Sequence, residues 1–102
     1  MTTTILITEK RNKARAEVFK ALGHPARLTM VDALRDGEKC VCELRELVDL
    51  DVSTVSKHLS VLKAAGIVSG RKQGNWVWYK LELNCLDSFL GCLDGFLDSK
   101  ND

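Results

Sequence analysis

"STVSKHLSVLKAAGIVSGRKQGNWVWYKLEL", residues 53–83, changes its hydrophobic period halfway along. In the first half Val55, Leu59 and Leu62 recur at helical spacing, which predicts a helix over 53–65 that Gly66 ends. In the second half Val77, Tyr79, Leu81 and Leu83 alternate with Trp76, Trp78, Lys80 and Glu82, the pattern of a half-buried strand. That strand is expected to pair with residues 67–72 across "QGN", where Gly74 and Asn75 supply the hairpin turn. A helix running into a hairpin is the second half of a winged helix-turn-helix unit. It requires a short helix and a tight turn immediately upstream.

Both are present. Residues 40–49 place Val41, Leu44, Leu47 and Val48 on a short helix, and Asp51-Val52-Ser53 makes a turn and cap. Farther upstream, residues 9–22 read as a helix stopped at Gly23. Pro25 suits the first position of the next helix, which carries Leu28, Val31 and Leu34 to a stop at Gly37. Downstream, Asn84 is expected to open a last helix, with Asp87 completing a capping box. Leu86, Phe89, Leu90, Leu93, Phe96 and Leu97 make a continuous apolar stripe along it. The fold expected is mainly α with a β-hairpin, in the order of four helices, hairpin and helix. It forms one domain over 1–102, with 1–7 as a flexible tail.

At 102 residues the chain can bury only a small core, so subunit pairing would help cover its remaining apolar surface. No apolar run is long enough for a membrane span, and "MTTTILITEKRNK" lacks a secretory apolar segment. The expectation is a cytoplasmic protein, whose four cysteines are free thiols or ligands rather than a disulfide framework.

A net charge of +1 conceals an asymmetry. Residues 52–80 hold Lys57, Lys63, Arg71, Lys72 and Lys80 and no Asp or Glu, whereas residues 81–102 hold five acids and one lysine. A basic middle beside an acidic end is the kind of footprint a nucleic-acid-binding face leaves, and a solvated basic face is the alternative reading of charge alone. On the 53–65 helix, Ser53, Ser56, Lys57, Ser60 and Ala64 lie opposite the apolar side, and His58 sits at the edge. Ser53, Thr54, Ser56, Lys57, His58 and Ser60 are the candidate contacts to double-stranded DNA, joined by Arg71, Lys72 and Gln73 at the wing tip. His58 could equally be bonded within the fold, and Trp76 and Trp78 are expected to pack on neighbouring helices rather than stack on bases.

"EKCVCELREL", residues 38–47, sets two cysteines two positions apart at the start of the short helix. On a regular helix such residues point about 200° apart, so Cys42 should face away from Val41, Leu44 and Val48, with Cys40 at the edge of that face. Neither is then placed as core, and a disulfide between them would be strained. One ion held by both would distort the first turn of the helix that supports the DNA-reading helix. Thiolates select soft, thiophilic ions. Arg45, three residues after Cys42, could stabilise a thiolate and raise its reactivity. Cys85 and Cys92 are either further ligands or small residues at a helix seam.

"ALGHPARLTMVDALRDGEKCVCEL", "STVSKHLSVLKAAGIV" and "RKQGNWVWYKL" together resemble the ArsR/SmtB family of metal-sensing repressors over roughly residues 14–98. The resemblance implies a homodimer joined through its first and last helices, which binds an operator and leaves it when metal binds. "EKCVCEL" is similar to the thiol motif of the arsenic-responsive branch, with Cys40 and Cys42 as ligands for trivalent arsenic or antimony. That branch has a third cysteine where this chain has Arg45, leaving Cys85 or Cys92 as the possible third ligand. A cadmium- or lead-responsive relative would bring cysteines from an N-terminal extension, and residues 1–39 have none. The zinc or nickel branch uses histidine on the last helix, and "DSFLGCLDGFLD" has none. A thiol-redox repressor stays open. A thiol oxidoreductase would need Cys-x-x-Cys near a βαβ unit, a structural zinc module paired ligand spacings, and other catalysis a nucleophile with its base; the chain has none of these, so no enzyme activity is expected.

Overall fold

A computed structural model describes residues 2–100 of the chain. Eight elements follow one another: α1 (Thr2–Leu22), α2 (Pro25–Leu34), β1 (Lys39–Cys40), α3 (Val41–Val48), α4 (Val52–Ala64), β2 (Val68–Gln73), β3 (Trp76–Leu81) and α5 (Leu86–Lys100). The winged helix-turn-helix read from residues 53–83 is present. Asp49 ends α3 in the left-handed region (φ 51°), a conformation that aspartate tolerates better than most residues. Only Asp49, Leu50 and Asp51 separate α3 from α4.

The core forms where α2, α3, α4 and the sheet meet. Met30, Val31 and Leu34 from α2, Leu44 from α3, and Val55, Leu59 and Leu62 from α4 are all buried, with Ile67, Val68 and Leu81 closing it from the hairpin side. The inward face of α4 thus matches its apolar periodicity, whereas on α3 Leu44 is buried, Val41 and Val48 are half-buried, and Leu47, expected on the same face, is exposed. Each fully buried leucine contributes about 1.5–3 kcal/mol by leaving water.

Three features depart from the expected layout. The first helix starts at Thr2, so the expected flexible tail 1–7, apart from Met1 outside the described residues, is helical. Nothing in residues 2–22 is a proline or glycine that would stop it, and the Thr8 hydroxyl donates to the Thr4 carbonyl one turn back at 2.9 Å. Second, the sheet has three strands in the order β1-β3-β2, all antiparallel. Central β3 keeps the expected half-buried alternation, with Val77, Tyr79 and Leu81 on the covered face and Trp76 and Lys80 exposed on the other, where Trp78 alone is half-buried. Third, the Asp87 carboxylate receives Arg35, the residue that caps the end of α2 (Nε–Oδ1 2.6 Å), instead of capping back toward Asn84, and the last helix begins at Leu86. Gly74 turns the hairpin with φ 63°, which costs glycine nothing.

The last helix is anchored by buried Leu86 and half-buried Leu90, while Phe89, Leu93, Phe96 and Leu97 remain exposed. Phe19 of α1 meets Phe89 edge-on, ring centroids 6.3 Å apart, and Ile5, Leu6 and Ile7 are exposed near the start of α1. Among the described residues no helix is long and apolar enough to cross a membrane.

Candidate DNA-reading face and thiol site

The α4 helix is held at its start by Asp51, whose carboxylate accepts from the Thr54 N–H and the Ser53 hydroxyl, each at 3.1 Å. Hydrogen bonds from Thr54 and Ser53 keep the Asp51 carboxyl below its ordinary range. A carboxyl lowered by folding stabilises the native state above its unfolded value and loses that contribution as pH falls through the native one. Asp51→Asn, an equally good cap, should therefore leave the melting temperature at pH 7 nearly unchanged and flatten its fall in acid, as followed by circular dichroism between pH 7 and 3.

Beyond the cap, Ser53, Ser56, Lys57 and Ser60 are exposed together and Thr54 is half-buried. This face is small, polar and cationic, as an element entering a DNA groove must be. His58 is turned differently. Its Nδ1 lies 3.4 Å from the Arg27 guanidinium and its ring 4.4 Å from that of His24, so it packs between α2 and α4 rather than outward. Burial, then the His24 and Arg27 charges, push its pKa down. Arg27 also donates to the carbonyls of Ala21 (2.6 Å) and Lys20 (3.5 Å), which closes the end of α1. The sequence reading missed this link from α1 to α4, because no periodicity marks it.

On the wing, Arg71, Lys72 and Gln73 are exposed. Arg71 is not free, however. Its Nε and Nη2 each donate to one Glu38 oxygen at 3.1 Å, and its Nη1 donates to Gln73 Oε1 at 2.7 Å. The same guanidinium holds the Glu38 carboxyl below its ordinary range. Glu38 was also missed, since 33 residues separate the partners.

Cys40 and Cys42 stand at the junction of β1 and α3. Here the structure corrects the reading of the thiols. Cys40 is not in the helix but precedes it with extended backbone (φ −78°, ψ 159°), so the 200° separation does not apply. Instead the two Cα atoms are 5.3 Å apart and the sulfurs are joined in a disulfide. Cys40 is also buried at 4% exposure, in β1 opposite Trp78 of β3, rather than at the edge of a face. Its N–H donates to Glu43 Oε1 at 3.2 Å, a reach-back that fixes the first turn of α3. Cys42 is half-buried and lines an open cleft of about 430 Å³ with Arg45, Glu46, Asp49 and Leu50, so Arg45 does lie beside it. Reduced, the same pair offers two adjacent thiolates, a donor set that fits a soft ion.

Cys85 and Cys92 are exposed free thiols. Cys85 lies in the turn before α5, at an apolar cavity of about 170 Å³ with Phe19 and Phe89, and only Cys92 is within the helix. Among the described residues no three His, Cys, Asp or Glu side chains are grouped to hold a metal, so the structure does not bring Cys85 or Cys92 to the Cys40–Cys42 pair.

Residues 24–69 match the family model described as bacterial regulatory protein, arsR family. The chain is 46% identical over 72 residues to an uncharacterised HTH-type transcriptional regulator of Methanocaldococcus jannaschii, covering 70% of this chain and 80% of that one. It is 38% identical over 87 residues to the arsenic resistance transcriptional regulator ArsR1 of Pseudomonas putida, covering 83% and 67%. Its fold superposes, with TM-score 0.80 and 25% identity over 91% of this chain and 86% of the other, on a homodimeric winged helix-turn-helix domain of a possible ArsR-family regulator from Mycobacterium bovis. With the helix-turn-helix, wing and Cys-x-Cys pair in place, these likenesses make the chain a member of the ArsR/SmtB family of winged helix-turn-helix transcriptional repressors.

Proposed function

We propose that this repressor works in the cytoplasm as a homodimer, holds operator DNA through α4 and the wing, and leaves it when Cys40 and Cys42 chelate a thiophilic ion. Trivalent arsenic or antimony is the leading candidate; cadmium or lead is the alternative. The observation that carries the reading is the position of the two thiols. They lie together where β1 becomes α3, one on a strand bonded to the wing and the other on the helix that leads through three residues into α4. A change in the spacing of the two sulfurs is therefore applied to both DNA-contacting elements. The arsenic assignment draws on the Cys-x-Cys motif and on the arsenic resistance regulator among the relatives.

When bound, the ion supplies a link between two thiolates. The chain's own residues do the rest. Cys40 and Cys42 donate, Glu43 keeps the Cys40 backbone in place, and Arg45 presents positive charge beside Cys42. A third thiolate, where the ion requires one, comes from Cys85 or Cys92 of the second protomer or from a small thiol in solution. The dimer is formed by the exposed apolar faces of α1 and α5.

The Cys40–Cys42 bond favours a second reading, in which oxidation does what chelation does. Two thiols then lose two protons and two electrons to a peroxide, which leaves as water. Titrating the reduced repressor–DNA complex, made on the DNA upstream of its own gene, with arsenite, antimonite, cadmium, lead, zinc and peroxide separates the readings. Release by arsenite and antimonite at the lowest concentrations is expected; release by zinc or peroxide alone overturns the arsenic assignment.

DNA affinity should fall steeply with salt. Lys57→Ala and Lys72→Ala, each removing one phosphate contact per protomer, should each reduce the slope of log affinity against log salt by about two per dimer. An unchanged slope in both variants places the DNA elsewhere.

A further inference from the structure

Cys40, Trp78 and Arg71 lie in one row across the sheet, Cys40 paired with Trp78 on one side of β3 and Arg71 paired with Trp78 on the other. Neighbouring strands are about 4.8 Å apart, so the thiol and the wing arginine are two strand spacings from each other. Glu38, two residues before Cys40, spans that row and grips Arg71 through two parallel bonds of 3.1 Å. A third guanidinium nitrogen goes to Gln73.

A guanidinium takes a carboxylate and a phosphate in the same forked manner. Arg71 can present its fork to only one of them, and in the DNA-free protein that partner is Glu38. We propose that Glu38 is a built-in competitor for Arg71. It occupies the wing arginine when DNA is absent and must yield it to an operator phosphate. Resting on the thiol-site reading above, chelation at Cys40 and Cys42 keeps β1 and Glu38 on Arg71, which makes the exchange less favourable. Glu38 is then a positioning residue: it touches neither ion nor DNA, and it acts through Arg71.

A double-mutant cycle tests this. Affinity for a fluorescent duplex from upstream of the gene is measured for reduced wild type, Glu38→Gln, Arg71→Ala and the double variant, without inducer. Glu38→Gln should tighten binding by roughly twofold to fivefold per protomer, the range of exposed ion pairs. In the Arg71→Ala background the gain should shrink markedly. An equal gain in both backgrounds is general charge repulsion and overturns the competition, as does no gain at all. Repeating the cycle with arsenite tests the second half. The ratio of affinities without and with arsenite should be smaller in Glu38→Gln than in wild type, with arsenite binding itself, followed by ultraviolet absorbance, unchanged. An equal ratio overturns the link to the thiols. If arsenite fails to release wild type, the effector reading fails, and the inducer-free cycle still decides whether Glu38 competes.

Discussion

Replacing Cys40 and Cys42 together by serine should leave a repressor that binds its operator and that arsenite no longer releases. A coupling of ~1–3 kcal/mol between effector and DNA sites corresponds to about a 5- to 150-fold change in affinity. In the double variant that ratio should fall to about one. The fold should survive for a reason peculiar to each position. Cys40 is buried, and a hydroxyl there loses water. It also occupies the N-cap position of α3, where serine is among the preferred residues, and the cap bond offsets the burial. Cys42 is half-buried and borders an open cleft, so its hydroxyl stays hydrated. Each single variant should fail to respond as well, because one thiolate cannot make a chelate. Fluorescence anisotropy with and without arsenite, beside circular dichroism for folding, reads both halves. A double variant released as readily as wild type moves the site to Cys85 and Cys92.

Charging the exposed face of α5 should have an effect as large, on DNA binding itself. Leu93 and Phe96 are exposed in the single chain and lie on the stripe assigned to the dimer seam. Leu93→Glu with Phe96→Glu puts four carboxylates into that seam, on a helix that already carries Asp87, Asp94 and Asp98. The monomer should stay folded, since α5 is anchored by Leu86, Leu90 and the Arg35–Asp87 ion pair, none of which is altered. Dimers should disappear in sedimentation velocity. Operator affinity should fall from the range of specific sites, about 10⁻⁸–10⁻¹¹ M, toward the roughly 10⁻⁴–10⁻⁶ M of non-specific binding, because a lone protomer reads one half-site. A variant that remains dimeric with full affinity shows that other residues join the protomers.

The parts legible in the sequence are those with a repeating signal. The inward face of α4 is written three times, at Val55, Leu59 and Leu62, and all three are fully buried. The hairpin declares itself through alternation and Gly74. The two-residue strand β1 has no room for a period, and missing it had consequences. It makes β3 central, it buries Cys40, and it takes Cys40 out of the helix whose geometry would set its direction. The start of α1 was missed because "TTTILIT" is rich in β-branched residues, which are weak helix formers. His58 shows the limit of a helical wheel, because its edge position is compatible with DNA or with α2, and the ring of His24 and the guanidinium of Arg27 lie on the α2 side. The Glu38–Arg71 pair spans 33 residues and could not be read from any local pattern.

The central claim is that the thiol pair and the DNA-binding face bias one equilibrium, and thermodynamic reciprocity tests it most directly. Operator affinity of the reduced dimer is measured with and without saturating arsenite, and arsenite affinity with and without saturating operator. The account predicts that arsenite weakens operator binding severalfold or more and that operator weakens arsenite binding by the same factor. Arsenite that binds Cys40 and Cys42 with operator affinity unchanged would contradict it.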